Sequence, residues 1–134
     1  MHYDEHGSFA IVVKDNILYL DAVGPFNDEL GEAYATKMHE VILKHKPKAQ
    51  ISCLHNSVLL SPNIEENIKA LLHYSLSYGL NYEAIILDSQ CHEKKLFQIQ
   101  MDRISHETKY VHNFFDTKEE ALSWINSLNL SELT

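Results

Sequence analysis

Long apolar runs, basic patches and glycine-rich loops are all missing from this sequence of 134 residues. No apolar stretch is long enough to span a bilayer, which argues against a membrane-spanning helix. The first eight residues, MHYDEHGS, lack the basic start and the apolar stretch of a signal peptide, so we expect a cytoplasmic protein. The two cysteines, Cys53 and Cys91, agree with reduced thiols in that compartment.

Positive charge is scarce as well. Lys and Arg total 11 against 19 Asp and Glu, which gives a net charge of −8 with the histidines neutral. Nucleic acids and anionic membranes both bind basic patches, so neither is expected as a partner. The chain also contains no glycine-rich phosphate loop and no dinucleotide-binding fingerprint. We therefore expect no cofactor.

What the sequence does contain is enough apolar residues for one folded domain. Hydrophobic residues make up 45% of the chain, and a chain of this length can bury a sizeable core. It shows no internal repeats, low-complexity tracts or linkers. Residues 1–134 are therefore interpreted as a single domain.

Strand-like and helix-like segments alternate in the order ββαβαβαβα. Two β-rich runs joined by a polar turn at residues 14–16 indicate an antiparallel hairpin, and the alternation after it is typical of parallel strands with right-handed crossovers. We predict an α/β fold with a five-stranded, mostly parallel mixed sheet, an antiparallel first strand and about four helices. The predicted strands are residues 9–13, 17–23, 51–54, 82–88 and 110–115, between a loose lead-in at 1–8 and a frayed tail at 130–134.

Capping residues mark three helix starts. Asn27 precedes the first helix, Ser61 precedes the second with proline after it, and Thr117 opens the last helix in a T-x-x-E capping box. A third helix is predicted over residues 93–106. Its inward-facing residues should be Leu96, Phe97, Met101 and Ile104.

Polar and reactive side chains are concentrated in two loops that follow strands, at residues 55–61 and 88–92. Ligands in open α/β sheets tend to sit at the carboxyl ends of the strands. We therefore expect these loops to share one edge of the sheet with residues 24–27 and 116–117. The candidate binding or regulatory residues are His55, Asn56, Ser57, Ser61, Asp88, Ser89 and His92.

A metal site is one hypothesis for this edge. His55, Asp88, Cys91 and His92 are good ligand types, but Cys91 and His92 are adjacent and no C-x-x-C pair is present. Cys91 as a nucleophile is a weaker hypothesis still. The spacing therefore gives a metal only slight support.

Two further hypotheses concern the serines. Ser57 or Ser61 with His92 and Asp88 would supply the residue types of a hydrolytic triad, yet no G-x-S-x-G elbow is present. Alternatively, Ser61 is a phospho-acceptor at an exposed helix start, where the dipole favours added negative charge. The simplest interpretation is that Ser61 only caps its helix.

Three segments resemble the STAS superfamily and, within it, the bacterial SpoIIAA-like proteins. They are ILYLDAVGPFNDELGEAYATKMHEVI, the strand–serine–helix stretch ISCLHNSVLLSPNIEENIKALLHYSLSYG, and FFDTKEEALSWINSL. The resemblance itself extends over nearly the whole chain. The resemblance implies a SpoIIAA-like fold for residues 1–134.

The resemblance also implies a function. The best-understood members of the superfamily are anti-sigma-factor antagonists that bind a partner kinase, with an acceptor serine before the second helix in a D-S-S-G-like motif. The matching stretch here reads L-L-S-P-N, which makes Ser61 the closest match and Ser57 a second candidate. The acidic residue and the glycine of that motif are not present. The fold is similar to lipid-binding CRAL-TRIO domains as well, which implies a small apolar ligand as an alternative.

We therefore expect a non-catalytic regulatory or protein-interaction module with a kinase-like or other regulatory protein as its partner, and no metal. One alternative is a small-molecule or lipid-binding domain, whose signature would be an enclosed apolar pocket. The other is a small hydrolase or metal-dependent enzyme that uses the loops at the strand ends. A homodimer is left open.

Overall fold

The computed structural model describes residues 7–106 and 108–130. Its elements confirm the predicted order: β1 (Ser8–Lys14), β2 (Ile17–Val23), α1 (Asp28–His45), β3 (Ala49–His55), α2 (Pro62–Ser77), β4 (Tyr82–Leu87), α3 (Lys94–His106), β5 (Val111–Phe115) and α4 (Lys118–Ser127). The expected lead-in is wrong at Ser8, which already belongs to β1. Residues 1–6 of the lead-in and residues 131–134 of the expected tail lie outside the described residues.

All five strands form one mixed sheet in the order β1-β2-β3-β4-β5. β1 runs antiparallel to β2 and the other pairs are parallel, which confirms the predicted fold class. The hairpin turn is shorter than predicted, because β1 continues through Lys14. Only Asp15 and Asn16 connect the two strands, with φ of 54° and 67°. Positive φ at both positions matches a type I′ turn, whose twist suits the flanking strands.

Helices cover the two faces of the sheet unequally. α1, α2 and α3 contribute Met38, Leu72 and Met101 to the main core on one face. α4 packs Ile125 against Ile51 on the other face. Because the parallel strands follow one another without a reversal, their connecting helices share one side. None of the described helices combines the length and apolarity needed to cross a membrane.

The predicted helix starts at Asn27, Ser61 and Thr117 are confirmed. Each side-chain oxygen accepts a hydrogen bond from a free backbone N–H of the first turn, as expected of a cap. Thr117 and Glu120 form the predicted capping box. These caps fix the points where the chain turns from the edge of the sheet into α1, α2 and α4.

The predicted inner face of α3 is wrong at one position. Three of the four predicted residues are buried, but Leu96 is 47% exposed. Gln100 is buried instead. Its Oε1 accepts from the N–H of Leu60 at 3.1 Å, and its Nε2 donates to the Leu60 carbonyl at 2.9 Å. The glutamine is accommodated in the core because the loop before α2 satisfies its amide.

Candidate functional site

Three of the four loops predicted to share one edge of the sheet meet there, namely residues 24–27, 55–61 and 88–92. Asn56 Nδ2 donates to the carbonyl of Gly24 at 3.0 Å. The N–H of His92 donates to the Asn56 carbonyl at 3.0 Å, and His92 also forms an isolated β-bridge with Ser57. A Cβ at Gly24 would collide with the carbonyl oxygen of Ser57, so only glycine permits this approach. We call this edge, with the seven candidate residues, the rim.

His55 joins three strands at the rim. Its Nδ1 lies 2.9 Å from Oδ2 of Asp88, and its Nε2 lies 3.0 Å from Oδ1 of Asp21. The hydrogen bond with Asp88, aided by the charge of Asp21, raises the pKa of His55 against the opposing effect of burial. The N–H of Gln90, together with His55, lowers the pKa of Asp88. These side chains form an Asp–His–Asp bridge that favours the cationic imidazole.

The two candidate serines are bonded to carboxylates. Ser61 Oγ donates to Asp28 Oδ1 at 2.6 Å, and Ser57 Oγ donates to Glu93 Oε1 at 3.2 Å. The hydrogen bond from Ser61 also lowers the pKa of Asp28. Over the part of the chain that the structure describes, neither serine bonds to a histidine. The hydrolytic triad considered for the rim is therefore not assembled.

A Ser–His–Asp chain does occur elsewhere, between α3 and β5. Ser105 Oγ lies 3.1 Å from Nδ1 of His112, whose Nε2 lies 2.9 Å from Asp102 Oδ1. The hydroxyl of Ser105 is buried and donates to the carbonyl of Met101 at 2.8 Å, one turn back in the helix. Because its proton is held by the backbone, this serine is bonded as a structural residue and not as a nucleophile.

Among the remaining rim residues, Asn56, Ser89 and His92 are exposed. Cys91 Sγ donates to the carbonyl of Leu54 at 3.0 Å, and burial raises the pKa of its thiol. Within residues 7–106 and 108–130, no three His, Cys, Asp or Glu side chains lie close enough to hold a metal ion. The four loop residues of the metal hypothesis thus do not form a ligand set there.

No motif marks a second group of polar side chains, which lies inside the main core. Ser52 Oγ donates to Glu83 Oε2 at 2.6 Å, and Tyr110 Oη donates to Glu83 Oε1 at 3.0 Å. Gln50 Nε2 lies 2.9 Å from Ser52 Oγ, and 3.3 Å from both Glu83 Oε2 and Tyr34 Oη. We call these five residues the interior polar cluster.

Glu83 is the electrostatic centre of this cluster. Burial raises its pKa, and the hydrogen bonds from Ser52 and Tyr110 offset part of that shift. Among the described residues, no cationic side chain forms an ion pair with it. Burial likewise raises the pKa of Tyr34 and of Tyr110, so both hydroxyls keep their protons at neutral pH.

An interior cavity of about 90 Å³ adjoins the cluster, between the sheet and helices α1 to α3. Gln50 and Glu83 line it near the amino ends of β3 and β4, whereas Leu54 lines it near the carboxyl end of β3. Most of the remaining lining is apolar, with residues such as Met38, Ile68, Leu72, Phe97 and Met101. The cavity is therefore an apolar space with hydrogen-bonding groups toward one end.

Side-chain alternation is the signal that could have revealed the cluster. In β3, Gln50 and Ser52 share a face with buried Leu54, and in β4, Glu83 shares a face with buried Ile85. Polar residues at core-facing positions of two adjacent strands require each other as partners. Glu83 stands just outside the apolar centre of the strand predicted at residues 82–88, so an apolar run alone does not mark it.

The rim and the interior cavity differ in what they can bind. The rim is polar and partly exposed, which suits contact with another protein. The cavity lies between the sheet and three helices and is mostly apolar, which suits a small molecule. A comparison with models of known protein families and with curated proteins finds no match to this chain.

Proposed function

We propose that this chain is a non-catalytic, cytoplasmic domain of the SpoIIAA-like kind that binds a small apolar molecule in its interior cavity. The observation that carries the proposal is the cavity of about 90 Å³, where an apolar lining meets a buried carboxyl group. Small-molecule sites are mostly apolar, with a few placed polar groups. The strand arrangement and the serine-capped second helix support the SpoIIAA-like assignment.

The size of the cavity limits the ligand. An apolar cavity of about 150 Å³ accepts benzene or xenon, and a water molecule takes roughly 30 Å³ of liquid volume. At about 90 Å³, the cavity suits a small aliphatic molecule better than an aromatic ring. Met38 and Met101 line it, and methionine adapts its shape through three rotatable bonds. Modest widening around a ligand is thus available without moving the sheet.

The bonding of the reactive side chains supports a role without catalysis. A serine nucleophile must bond to a base that removes its proton. Ser61 instead caps α2 and donates to Asp28, and Ser105 donates to a helix carbonyl. His55 is held between two carboxylates. These groups stabilise the fold where they stand.

Xenon and methyl NMR would test the ligand proposal. We expect xenon to shift the methyl signals of Met38, Met101 and Leu72 in the wild-type protein, because these residues line the cavity. Ala22→Leu, which fills the cavity, should abolish the shifts. Ala10→Leu, at an exposed position of β1, is the matched control and should preserve them. Absence of shifts at these methyls in the wild type would reject the proposal.

The rim supports a second candidate, a regulatory surface for a kinase-like or other protein partner. The side chains of His55 and Asp88 are 35% and 32% exposed, so a partner can reach them. Phosphate on Ser61 would stand beside the Asp28 carboxylate that now accepts a hydrogen bond from the Ser61 hydroxyl. Repulsion between the two charges would disturb the contact between α1 and α2. Pull-downs with wild-type protein, Ser61→Glu and Ser61→Ala would test this switch. Equal recovery of the same partners would reject phosphorylation as the control.

A further inference from the structure

The hydroxyl proton of Tyr34 has no acceptor in the part of the chain that the structure describes. The Tyr34 oxygen accepts a hydrogen bond from Gln50 Nε2 at 3.3 Å. Among the described residues, this is the one hydrogen bond that the hydroxyl makes. Tyr34 is half-buried, and a tyrosine hydroxyl that is taken out of water normally finds a partner for its proton as well. Tyr34 and Gln50 both line the cavity. The cavity thus has one free donor at its polar end.

Most of the hydrogen-bond acceptor positions at the polar end of the cavity are already occupied. Ser52, Gln50 and Tyr110 all direct hydrogen bonds at the Glu83 carboxyl, which occupies three of its roughly four lone-pair positions. Burial favours the protonated carboxyl. Protonation adds a donor to the cluster and removes an acceptor position. A ligand therefore meets an excess of donors in either state of Glu83.

Glu83 also determines which charge the polar group of a ligand can carry in the cavity. A carboxylate would be brought close to the Glu83 carboxyl, and two such groups compete for one proton when both are buried. An ammonium group would have to leave water together with an ionised Glu83, and the desolvation of both ions costs more than their attraction returns unless the geometry is excellent. A neutral oxygen that accepts one hydrogen bond avoids both costs.

We propose that the interior cavity binds a small aliphatic molecule through a neutral carbonyl oxygen, which accepts a hydrogen bond from the hydroxyl of Tyr34. The inference rests on the proposed function and adds the chemical class of the ligand, an aliphatic ketone, aldehyde or ester. The apolar part lies along Met38 and Met101 toward Leu54. Tyr34 then sets specificity, while the apolar lining supplies most of the affinity.

Four small probes of similar size test the assignment: butanone, butanoate, butylamine and cyclopentane. Their dissociation constants for the full chain are measured by methyl NMR titration at neutral pH. Butanone should bind tightest, and Tyr34→Phe should weaken it about fivefold, the loss of one neutral hydrogen bond. The same variant should leave cyclopentane unchanged. Tyr74→Phe is the matched control, because Tyr74 donates to the His39 carbonyl and does not line the cavity.

The outcomes separate the two proposals. If cyclopentane and xenon bind but butanone binds no better, or if Tyr34→Phe leaves butanone binding unchanged, the carbonyl assignment is wrong and the cavity proposal stands. Tighter binding of butanoate or butylamine than of butanone also overturns the assignment. If neither cyclopentane nor xenon binds, the proposed function itself is wrong. Should Tyr34→Phe fail to fold, the ranking of the four probes on wild-type protein decides alone.

Discussion

His55 lies between two carboxylates, with Nδ1 2.9 Å from Asp88 and Nε2 3.0 Å from Asp21. Asp21 belongs to β2, His55 ends β3, and Asp88 follows β4. One side chain thus connects three neighbouring strands at their carboxyl ends. Because the two carboxylates raise the pKa of His55, the charge of the rim depends on pH.

Replacing Asp88 with Asn should lower the pKa of His55. The hydrogen bond with Asp88 is the largest cause of the raised pKa, and the amide keeps the shape without the charge. An NMR titration of the imidazole should give a pKa above about 6.5 in the wild type and closer to that value in Asp88→Asn. Asp21→Asn should produce a smaller drop. Equal values in wild type and Asp88→Asn would contradict the bridge.

The pKa shifts of His55 and Asp88 determine whether the fold gains or loses stability as pH changes. Because the pKa of His55 is raised on folding, its stabilising contribution is complete below about pH 6.5 and is lost as pH rises through the folded value. The pKa of Asp88 is lowered, so its contribution is present above about pH 3.9 and is lost as pH falls through the folded value. Urea unfolding should show a flatter profile for Asp88→Asn across this window.

The wild-type protein should lose stability as pH rises, because Glu83 is buried, and the substitution Glu83→Gln should remove that loss. The pKa of Glu83 is raised by burial, so its contribution is complete below about pH 4.3 and declines as pH rises through the folded value. The decline is at most about 1.4 kcal/mol per pH unit for one proton. Urea unfolding at several pH values should show a wild-type decline that is absent in Glu83→Gln.

Glu32→Gln, at an exposed position of α1, is the matched control for this measurement. It should follow the wild-type pH profile, since its side chain stays in water. Parallel pH profiles for wild type and Glu83→Gln would mean that the buried carboxyl has the same pKa in folded and unfolded chains. That result would remove the argument for a neutral Glu83 at the end of the cavity.

Ser61→Ala should destabilise the domain by about 1 kcal/mol, the usual cost of losing a helix cap. The change removes both the bond to the N–H of Ile64 and the bond to Asp28. Ser77→Ala, near the other end of α2, is the matched control and should stay within about 0.5 kcal/mol of wild type. Asp28→Asn should cost less in the Ser61→Ala background than alone, because the two residues share a hydrogen bond. Additive costs would show that the bond contributes nothing.

Local signals are what made the fold predictable from the sequence. Asn27, Ser61 and Thr117 each carry the information for a helix start within a few residues, and all three were identified. Because these caps separate the apolar runs, the sequence predicts an alternating order of strands and helices. The error in α3 concerns single positions. Leu96 follows the apolar period of the helix but is exposed, whereas Gln100 is buried because it bonds to a loop that is distant in the sequence. Periodicity cannot register a contact that folding creates.

The site was harder to predict, because it depends on strand order. The rule that places ligands at the carboxyl ends of strands applies where the order of parallel strands reverses and opens a crevice. Here β2 to β5 lie in sequence order, so the rim loops close on one another through Asn56, Gly24 and His92. The space that remains lies under the three crossover helices. Glu83 reaches it only because β4 pairs with β3 in this register.

Gly31→Ala should destabilise the contact between α1 and α2, although alanine is the better helix former. A Cβ at Gly31 would lie 2.9 Å from Cγ1 of Ile64, a buried side chain near the start of α2 that would have to shift. Overpacking of this kind costs about 1–3 kcal/mol, against a propensity gain of about 1 kcal/mol. We expect a net loss of about 1 kcal/mol in urea unfolding.

Ile64→Ala supplies the background that isolates the clash. It is destabilising by itself, by about 2–5 kcal/mol as a core truncation. In that background the new methyl group at position 31 has space, so Gly31→Ala should change sign and stabilise by up to about 1 kcal/mol. A destabilising effect of the same size in both backgrounds would show that steric contact with Ile64 is not why glycine is needed there.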